Sequence, residues 1–270
     1  MLISVRHVTR YTYAAPVSYA VQSLRLTPAS FAGHRVLTWE VRVPGPRPAL
    51  QFKDGHGNLV HMVTIAARHS SLTIEAGGTV ETSDSNGVVD GLPSASPPRV
   101  YLRQTAQTRA EPRIRELAQA AVRTDTISHL HALSSAIREC VAYVAGTTDA
   151  QTTAVDALAA GKGVCQDHAH IFIAAARCLG IPARYVTGYL LIEQSLPAPA
   201  HHAWAEAWVE GLGWVGFDVA NRICPTERYV RLAAGLDALG AAPIAGSRRG
   251  GDGEELDVCV LVQQQQNAQQ

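Results

Sequence analysis

A cysteine stands at position 165 inside Gly161-Lys-Gly-Val-Cys-Gln-Asp-His168, directly before an apolar run, Ala169–Leu179, that stops at Gly180-Ile-Pro182. The pattern is a glycine-flanked turn, then a thiol, then a helix that is apolar almost all round. The first turn of a helix carries N–H groups without intrahelical partners. The positive end of the helix dipole stabilises a thiolate there. Such a cysteine works as a nucleophile when a base takes its proton and a third group holds the base in one tautomer.

The rest of the chain offers both partners. His202-Ala-Trp204-Ala-Glu206-Ala-Trp208-Val209 has a period of two, so His, Trp, Glu and Trp share one strand face and the small residues share the other. The small face suits close packing against a helix. Glu210-Gly-Leu-Gly213 is a turn, and Trp214-Val-Gly-Phe-Asp218 returns with a carboxylate. The pairing register decides whether that carboxylate meets the histidine. If paired positions sum to an even number, for instance 204 opposite 218, His202 and Asp218 lie on one face as diagonal neighbours. An odd sum turns them apart. An odd-length loop centred near Gly211 gives the even register.

These motifs resemble one family in order and spacing. Gly163-Val-Cys-Gln-Asp-His-Ala-His170, Leu179-Gly-Ile-Pro-Ala-Arg-Tyr-Val-Thr-Gly-Tyr189, His202-Ala-Trp-Ala-Glu206 and Gly213-Trp-Val-Gly-Phe-Asp218 are similar to the bacterial transglutaminase-like proteins. The resemblance implies a Cys-His-Asp triad on a papain-like core, with Cys165 the nucleophile, His202 the base and Asp218 the orienter. The amino-terminal β region, with Asp54-Gly-His-Gly-Asn58, resembles the extra domain that precedes this core in one bacterial branch. Where the family often has Asp-Pro-Thr-Asn, this chain has Asp218-Val-Ala-Asn221, which changes the turn and keeps the carboxylate. The implied activity is thiol-dependent acyl transfer on a peptide or protein amide, as a cysteine peptidase or amidase. Transamidation of glutamine side chains and a non-catalytic peptide-binding module are the alternatives.

Each of these residues also has a plainer reading. A lone cysteine at a helix start is more often a packed thiol. His201 falls on the other strand face from Trp204 and Glu206, which makes it the weaker candidate base. His168 and His170 stand about 200° apart around a helix and cannot share an ion. Cys165, His168, His202 and Asp218 form a soft-metal donor set on paper, so a metal hydrolase is a further rival, although the reading calls for no cofactor and no metal. Glu206 is a cleft-wall or salt-bridged residue, and Trp204, Trp208 and Trp214 read as core aromatics, with a place in the cleft wall near His202 as the alternative for one of them. Oxyanion donors start with the Cys165 backbone N–H; Gln104, Tyr143 and Gln166 compete for the second place. Cys140, Cys178, Cys224 and Cys259 read as structural thiols, and His56, His61 and His69 as surface or strand-face histidines.

The elements that must hold this constellation follow from local pattern. Leu2–Tyr13, Ala20–Leu26, Val36–Val43, Leu59–Ala66 and Ser71–Thr82 are short β-rich runs between Gly, Pro and Asn signals, which predicts a small β-sandwich-like domain over 1–83. Ser83–Arg99, rich in Ser, Pro and Gly, predicts a linker over 84–100. The core then runs 101–262. Helices are expected from Pro112 to about Val122, from a cap at Asp125 or Thr126 through Val144, from Thr152 or Thr153 to Ala160, and from Cys165. Strands follow at Ala183–Ile192, His202–Val209 and Trp214–Val219, with a loop at Ser195–Ala200. Arg228–Leu239 reads as a short helix, Gly246–Gly253 as a glycine-rich loop with Arg248-Arg249, and Leu256–Val262 as a last strand. Gln263–Gln270 reads as a disordered polar tail. The fold class is α+β, a helix carrying the nucleophile packed on an antiparallel sheet.

Composition bounds the partners. The 270 residues carry 23 basic and 23 acidic side chains, which argues against nucleic acid or an anionic membrane as the main partner. No apolar run reaches the ~18–20 residues of a membrane span. No leader pattern precedes the first strand, so the cytoplasm is the expected compartment. Five cysteines without a Cys-x-x-Cys pair favour free thiols over disulfides or structural zinc.

Overall fold

The longest element, β1, runs Leu2–Thr27, and its side chains change phase partway along. The computed structural model describes residues 1–44, 50–93, 95–192 and 201–265. Ile3, Val5, His7 and Thr9 are buried at odd positions, whereas Ala20, Gln22, Leu24 and Leu26 are buried at even ones. The pairing register shifts between Val17 and Tyr19, just past Pro16. One extra residue in a strand produces such a switch. The two β-rich runs that the sequence suggests are therefore one strand.

Around β1 stand β2 (His34–Arg42), β3 (Leu50–Lys53), β4 (Leu59–Ile65) and β5 (His69–Thr82), in the antiparallel order β2-β5-β1-β4-β3. A short strand, β6 (Val88–Val89), and a 3-10 turn at Pro98–Leu102 follow. Then come α1 (Pro112–Ala120), α2 (Thr126–Cys140), β7 (Ala142–Tyr143), α3 (Ala154–Ala160), β8 (Lys162–Gly163) and α4 (Cys165–Cys178). The strands β9 (Ala183–Leu190), β10 (His201–Val209), β11 (Gly213–Phe217) and β12 (Tyr229–Gly235) form the second sheet in the order β12-β9-β10-β11-β6. β13 (Ile244–Gly250) and β14 (Glu254–Gln264) complete the chain. None of the described helices is long and apolar enough to cross a membrane.

Helix limits follow the caps that the sequence announces. The Asp125 carboxylate accepts from Ser128 N at 2.9 Å at the start of α2. Thr153 and Asp156 cap α3 reciprocally, and Gly161 ends it with a left-handed φ of 64°. Val141 has extended backbone and ends α2, so Val144 lies beyond the helix. Side chains of α1, α2 and α3 pack with α4 and with the second sheet in one core.

Several expectations give way here. Arg228–Leu239 is not a helix: Tyr229–Gly235 is β12, buried at every position and paired with β9. Gly246–Gly253 is mostly strand, because β13 pairs with β1 from Val17 to Leu24. The last strand pairs with β1 over Ile3–Tyr13, so residues 244–264 belong to the amino-terminal sheet and not to the core. Gln263 and Gln264 are part of that strand, and Gln265 N donates to Leu2 O at 2.8 Å. Residues 266–270 of the expected tail and the expected loop at 195–200 lie outside the described residues. The expected linker is partly structured, since Val88 and Val89 pair with Val215 and Trp214.

The amino-terminal sheet packs directly on the core. Tyr189 and Leu191 from the β9 region and Val230 and Leu232 of β12 share one apolar cluster with Ile3, Val5 and Leu24. The second layer of the expected sandwich is thus the core's own sheet. The Asp54–Asn58 turn fastens the two together. The Asp54 carboxylate accepts from the backbone N–H groups of His56 and Asn58, from the Asn58 amide and from Arg25 Nε. So anchored, the Asn58 side chain donates to Ala234 O and accepts from Ala234 N, each at 2.8 Å, as a neighbouring strand would. His56 meets the Tyr101 hydroxyl at 3.1 Å, and His61 meets Thr27 at 3.1 Å.

Replacing Asn58 strips the partners from both the N–H and the C=O of buried Ala234. Asn58→Ala should lower the free energy of unfolding by roughly 1–3 kcal/mol, read from urea unfolding curves.

Candidate active site

Cys165 opens α4, where the peptide N–H groups face out of the helix. Asp167 organises the turn before it: its Oδ2 accepts from Val164 N and from the Thr148 hydroxyl, each at 2.7 Å. At the other end the Arg177 guanidinium donates to the carbonyls of Tyr101, Ala183 and Leu236. Between these anchors the helix is buried from Asp167 to Arg177. Its partner is the small face of β10, where Ala203, Ala205 and Ala207 lie in the same cluster as Ile171, Ala174 and Ala175.

The hairpin has the even register. Trp208 pairs with Trp214 and Ala205 with Phe217, and one further step puts Trp204 across from Asp218. The three-residue connection centres on Gly211, whose φ of 83° suits glycine. His202 and Asp218 therefore meet: Nε2 and Oδ2 are 2.6 Å apart, with Asp218 fully buried and His202 nearly so.

The Asp218 carboxylate is surrounded. Its Oδ2 also accepts from the Tyr229 hydroxyl and the Asn221 amide, each at 2.7 Å, and its Oδ1 accepts from Asn221 N at 3.2 Å. Burial pushes this carboxyl up, but the bonds from His202, Tyr229 and Asn221 and the His202 charge hold it below the ordinary range. His202 shows the opposite balance. Burial disfavours its cation; hydrogen bonds to Asp218 and to the Cys165 sulfur, with the charges of both groups, outweigh that and raise it to about 10. Since Nε2 is held by Asp218, Nδ1 is the ring nitrogen left to face the thiol.

Tyr143 completes the neighbourhood. It is 43% exposed, and its ring stacks on His168 with centroids 6.2 Å apart. Burial and the charges of Cys165 and Asp218 raise its phenol. The other two candidate oxyanion donors are elsewhere occupied or exposed: Gln166 donates to Asp149 O at 3.3 Å, and Gln104 lies in solvent. His168 turns both ring nitrogens to backbone carbonyls, Val164 O and Val141 O, and has none left for an ion. His170 accepts from Ala238 N, far along α4. Among the described residues no group of three or more His, Cys, Asp or Glu side chains has the arrangement of a metal site. His201 bonds Thr187 at 2.8 Å, and burial, with the His202 charge, lowers it to about 4. All five cysteines are free thiols.

Sequence reasoning missed four residues. Tyr229 and Arg231 sat in the supposed helix, Arg184 inside an apolar strand, and Asn221 in the altered turn. Glu206 is fully buried between Arg184 Nε at 2.6 Å and Arg231 Nε at 2.7 Å. Burial raises its carboxyl, and the two guanidinium charges overcome this and bring it to about 2. Arg184 also lies 4.0 Å over the Trp214 ring. The salt-bridged reading of Glu206 is the one observed.

Residues 115–219 match the transglutaminase-like superfamily, and residues 3–81 match the bacterial transglutaminase-like N-terminal region. A Mycobacterium leprae protein described as uncharacterized is 28% identical over 279 residues, covering 96% of this chain and 97% of its own. An uncharacterized Mycobacterium tuberculosis protein is 27% identical over 269 residues, covering 90% and 86%. Among solved structures, a protein from Cytophaga hutchinsonii described as a putative cysteine protease superimposes with a TM-score of 0.75 at 23% identity, over 97% of this chain and 90% of that one. That likeness shows the papain-like fold of the core with its amino-terminal β region.

Two measurements probe the electrostatics. The raised His202 contributes stability that is complete below its ordinary value of 6.5 and is lost as pH rises through about 10. The stability gap between the parent chain and Asp218→Asn should therefore narrow from pH 6.5 to about 10, in urea unfolding at a series of pH values. Separately, Glu206→Ala leaves two buried guanidinium groups uncompensated and should cost ~3–5 kcal/mol by the same assay.

Proposed function

The chain belongs to the transglutaminase-like superfamily, and from that premise we propose that it hydrolyses amide bonds in peptides or proteins through Cys165, His202 and Asp218. The observation that carries this reading is the 2.6 Å contact between His202 Nε2 and the buried Asp218 Oδ2, with the Cys165 thiol near enough to His202 to help raise it. The thiol proton passes to His202, and sulfur attacks the amide carbonyl carbon. The oxyanion that develops is met by the Cys165 N–H at the start of α4, with the Tyr143 hydroxyl as the second donor. The C–N bond breaks, His202 gives its proton to the departing amine, and a thioester remains on Cys165. Water attacks the thioester, His202 takes its proton, and collapse releases the acid and restores the thiol.

Asp218 acts through His202: it fixes the ring and balances the imidazolium. Water as the acceptor is favoured by exposure, since Cys165 is only half-buried and Tyr143 is open to solvent. Transamidation needs a site that keeps water from the thioester. The description of the Cytophaga protein as a putative cysteine protease agrees with the hydrolytic reading.

Alkylation tests the thiol without a known substrate. Iodoacetamide at neutral pH should modify Cys165 faster than the more exposed Cys140 and Cys259, and His202→Ala should abolish that preference, read by peptide mass spectrometry. Equal rates at the three thiols would refute the activated nucleophile. Acyl groups trapped on Cys165 from a cell extract would identify the substrate by mass. Against that substrate Cys165→Ala should remove turnover and His202→Ala should lower it about 100- to 10,000-fold; Asp218→Ala should cost less than Cys165→Ala.

A further inference from the structure

β14 is eleven residues long and, among the described residues, has one strand neighbour, β1. Among the described residues, the N–H and C=O groups on its other edge pair with no strand. Long edges of this kind are normally blunted by proline, lysine, a bulge or a covering element. β14 has none of the first two, and its pairing with β1 from Glu254 to Gln264 is unbroken. Its residues are apolar from Leu256 to Val262 apart from Asp257. Leu256 is 53% exposed, and Val258 and Leu261 are each 49% exposed. Beneath Leu256, Val258 and Val260 lies a cavity of about 450 Å3, also lined by His7, Tyr11 and His201.

We propose that this edge pairs antiparallel with the same edge of a second copy, across a two-fold axis at Cys259. The sequence of the strand is complementary to itself in that register. Val258 falls opposite the partner's Val260, and Leu256 opposite the partner's Val262. Glu254 and Glu255 fall opposite the partner's Gln264 and Gln263. No like charges face each other, and every residue of the strand finds a mate without overhang. On one face the four aliphatic residues of each strand run on into those of the other, which extends the apolar wall over the cavity. An edge-to-edge contact about a two-fold axis closes after two chains and does not propagate. It joins the two amino-terminal sheets into one and leaves Cys165 and its neighbours outside the contact.

Sedimentation equilibrium of the full chain at micromolar concentration should give twice the monomer mass. Val258→Lys sets the two lysines diagonally across the axis, ~7–8 Å apart. It should raise the dissociation constant about tenfold or more, ~1.4 kcal/mol per factor of ten. Leu261 falls opposite the partner's Asp257, so Leu261→Glu should weaken the dimer and Leu261→Lys should not. These side chains are half-exposed, and circular dichroism melts will show that each variant folds. A short bismaleimide should cross-link the parent chain and Cys140→Ser but not Cys259→Ser. A chain that stays monomeric overturns the proposal. So does a dimer whose cross-link survives Cys259→Ser, or one that Leu261→Glu and Leu261→Lys affect alike. An edge occupied instead by a foreign extended segment would leave the purified chain monomeric and overturns it equally.

Discussion

A buried carboxylate stays ionised only where donors replace the water it has lost, and Asp218 is the place where this fold meets that demand. The donors come from three segments: His202 from β10, Asn221 from the turn after β11 and Tyr229 from β12. Each segment must arrive at one point, so the hairpin register, the turn and the outer strand are bound together by one oxygen. Were the cage loosened, desolvation would push the carboxyl toward its neutral form. His202 would then lose the partner that raises it. The protonation of His202 is in this sense a property of the whole second sheet.

β12 sits on the outside of that sheet and is held from the other side by the amino-terminal domain. Asn58 mimics a strand along Ala234, His34 accepts from Arg231 N, and the Thr82 hydroxyl donates to Glu227 O. His34 Nδ1 meets Ala29 O, so its Nε2 is free to accept from Arg231 N in the neutral ring. Burial supports that form by lowering His34 to about 4. Arg231 in turn reaches Glu206, which reaches Arg184. A buried ionic cluster of this kind is weak evidence for stability. Its members do tie β9, β10 and β12 into one arrangement. The amino-terminal sheet is therefore part of the support of Asp218, and not an appendage to a self-sufficient core.

What could be read from the sequence divides along the same line. The helix of Cys165 and the hairpin of His202 and Asp218 are local objects. Their caps, period-two alternation and glycine turn are written within a few residues, and the parity argument needs only the loop. β12 escaped because Tyr229–Gly235 is buried on both faces and shows no alternation, while Leu232, Leu236 and Leu239 fall at helical steps. β13 escaped because its glycines look like a loop. At Gly246 a Cβ would stand 2.2 Å from Gln22 Oε1, so the glycine there makes room for a neighbouring strand. The partner of β13 and β14 is β1, more than two hundred positions away, and no local pattern announces so distant a pairing. Tyr229 was hidden for the same reason, since its role exists only once β12 lies beside β9.

Trp204 shows how the two halves of the site are kept apart until they meet. Its ring lies over Gly188, where a Cβ would stand 2.7 Å from the indole Cη2 and 2.3 Å from Val230 O. From there it packs edge-on to Tyr229 at 5.5 Å and nearly parallel to His202 at 6.4 Å. One rigid ring thus sets the orientation of two of the groups that hold Asp218. On the opposite face of β10 the alanines admit α4 at close range and set the position of Cys165. The Cys165 thiol is fixed by the helix layer, and His202 and Asp218 by the layer facing the amino-terminal domain. The two layers share β10 as their common wall, so a shift of that strand along its neighbours would displace His202 and the helix contact together. The register of β10, set on one side by the Gly211 turn and on the other by the pairing of Glu206 with Arg184, is accordingly what fixes the sulfur against the imidazole.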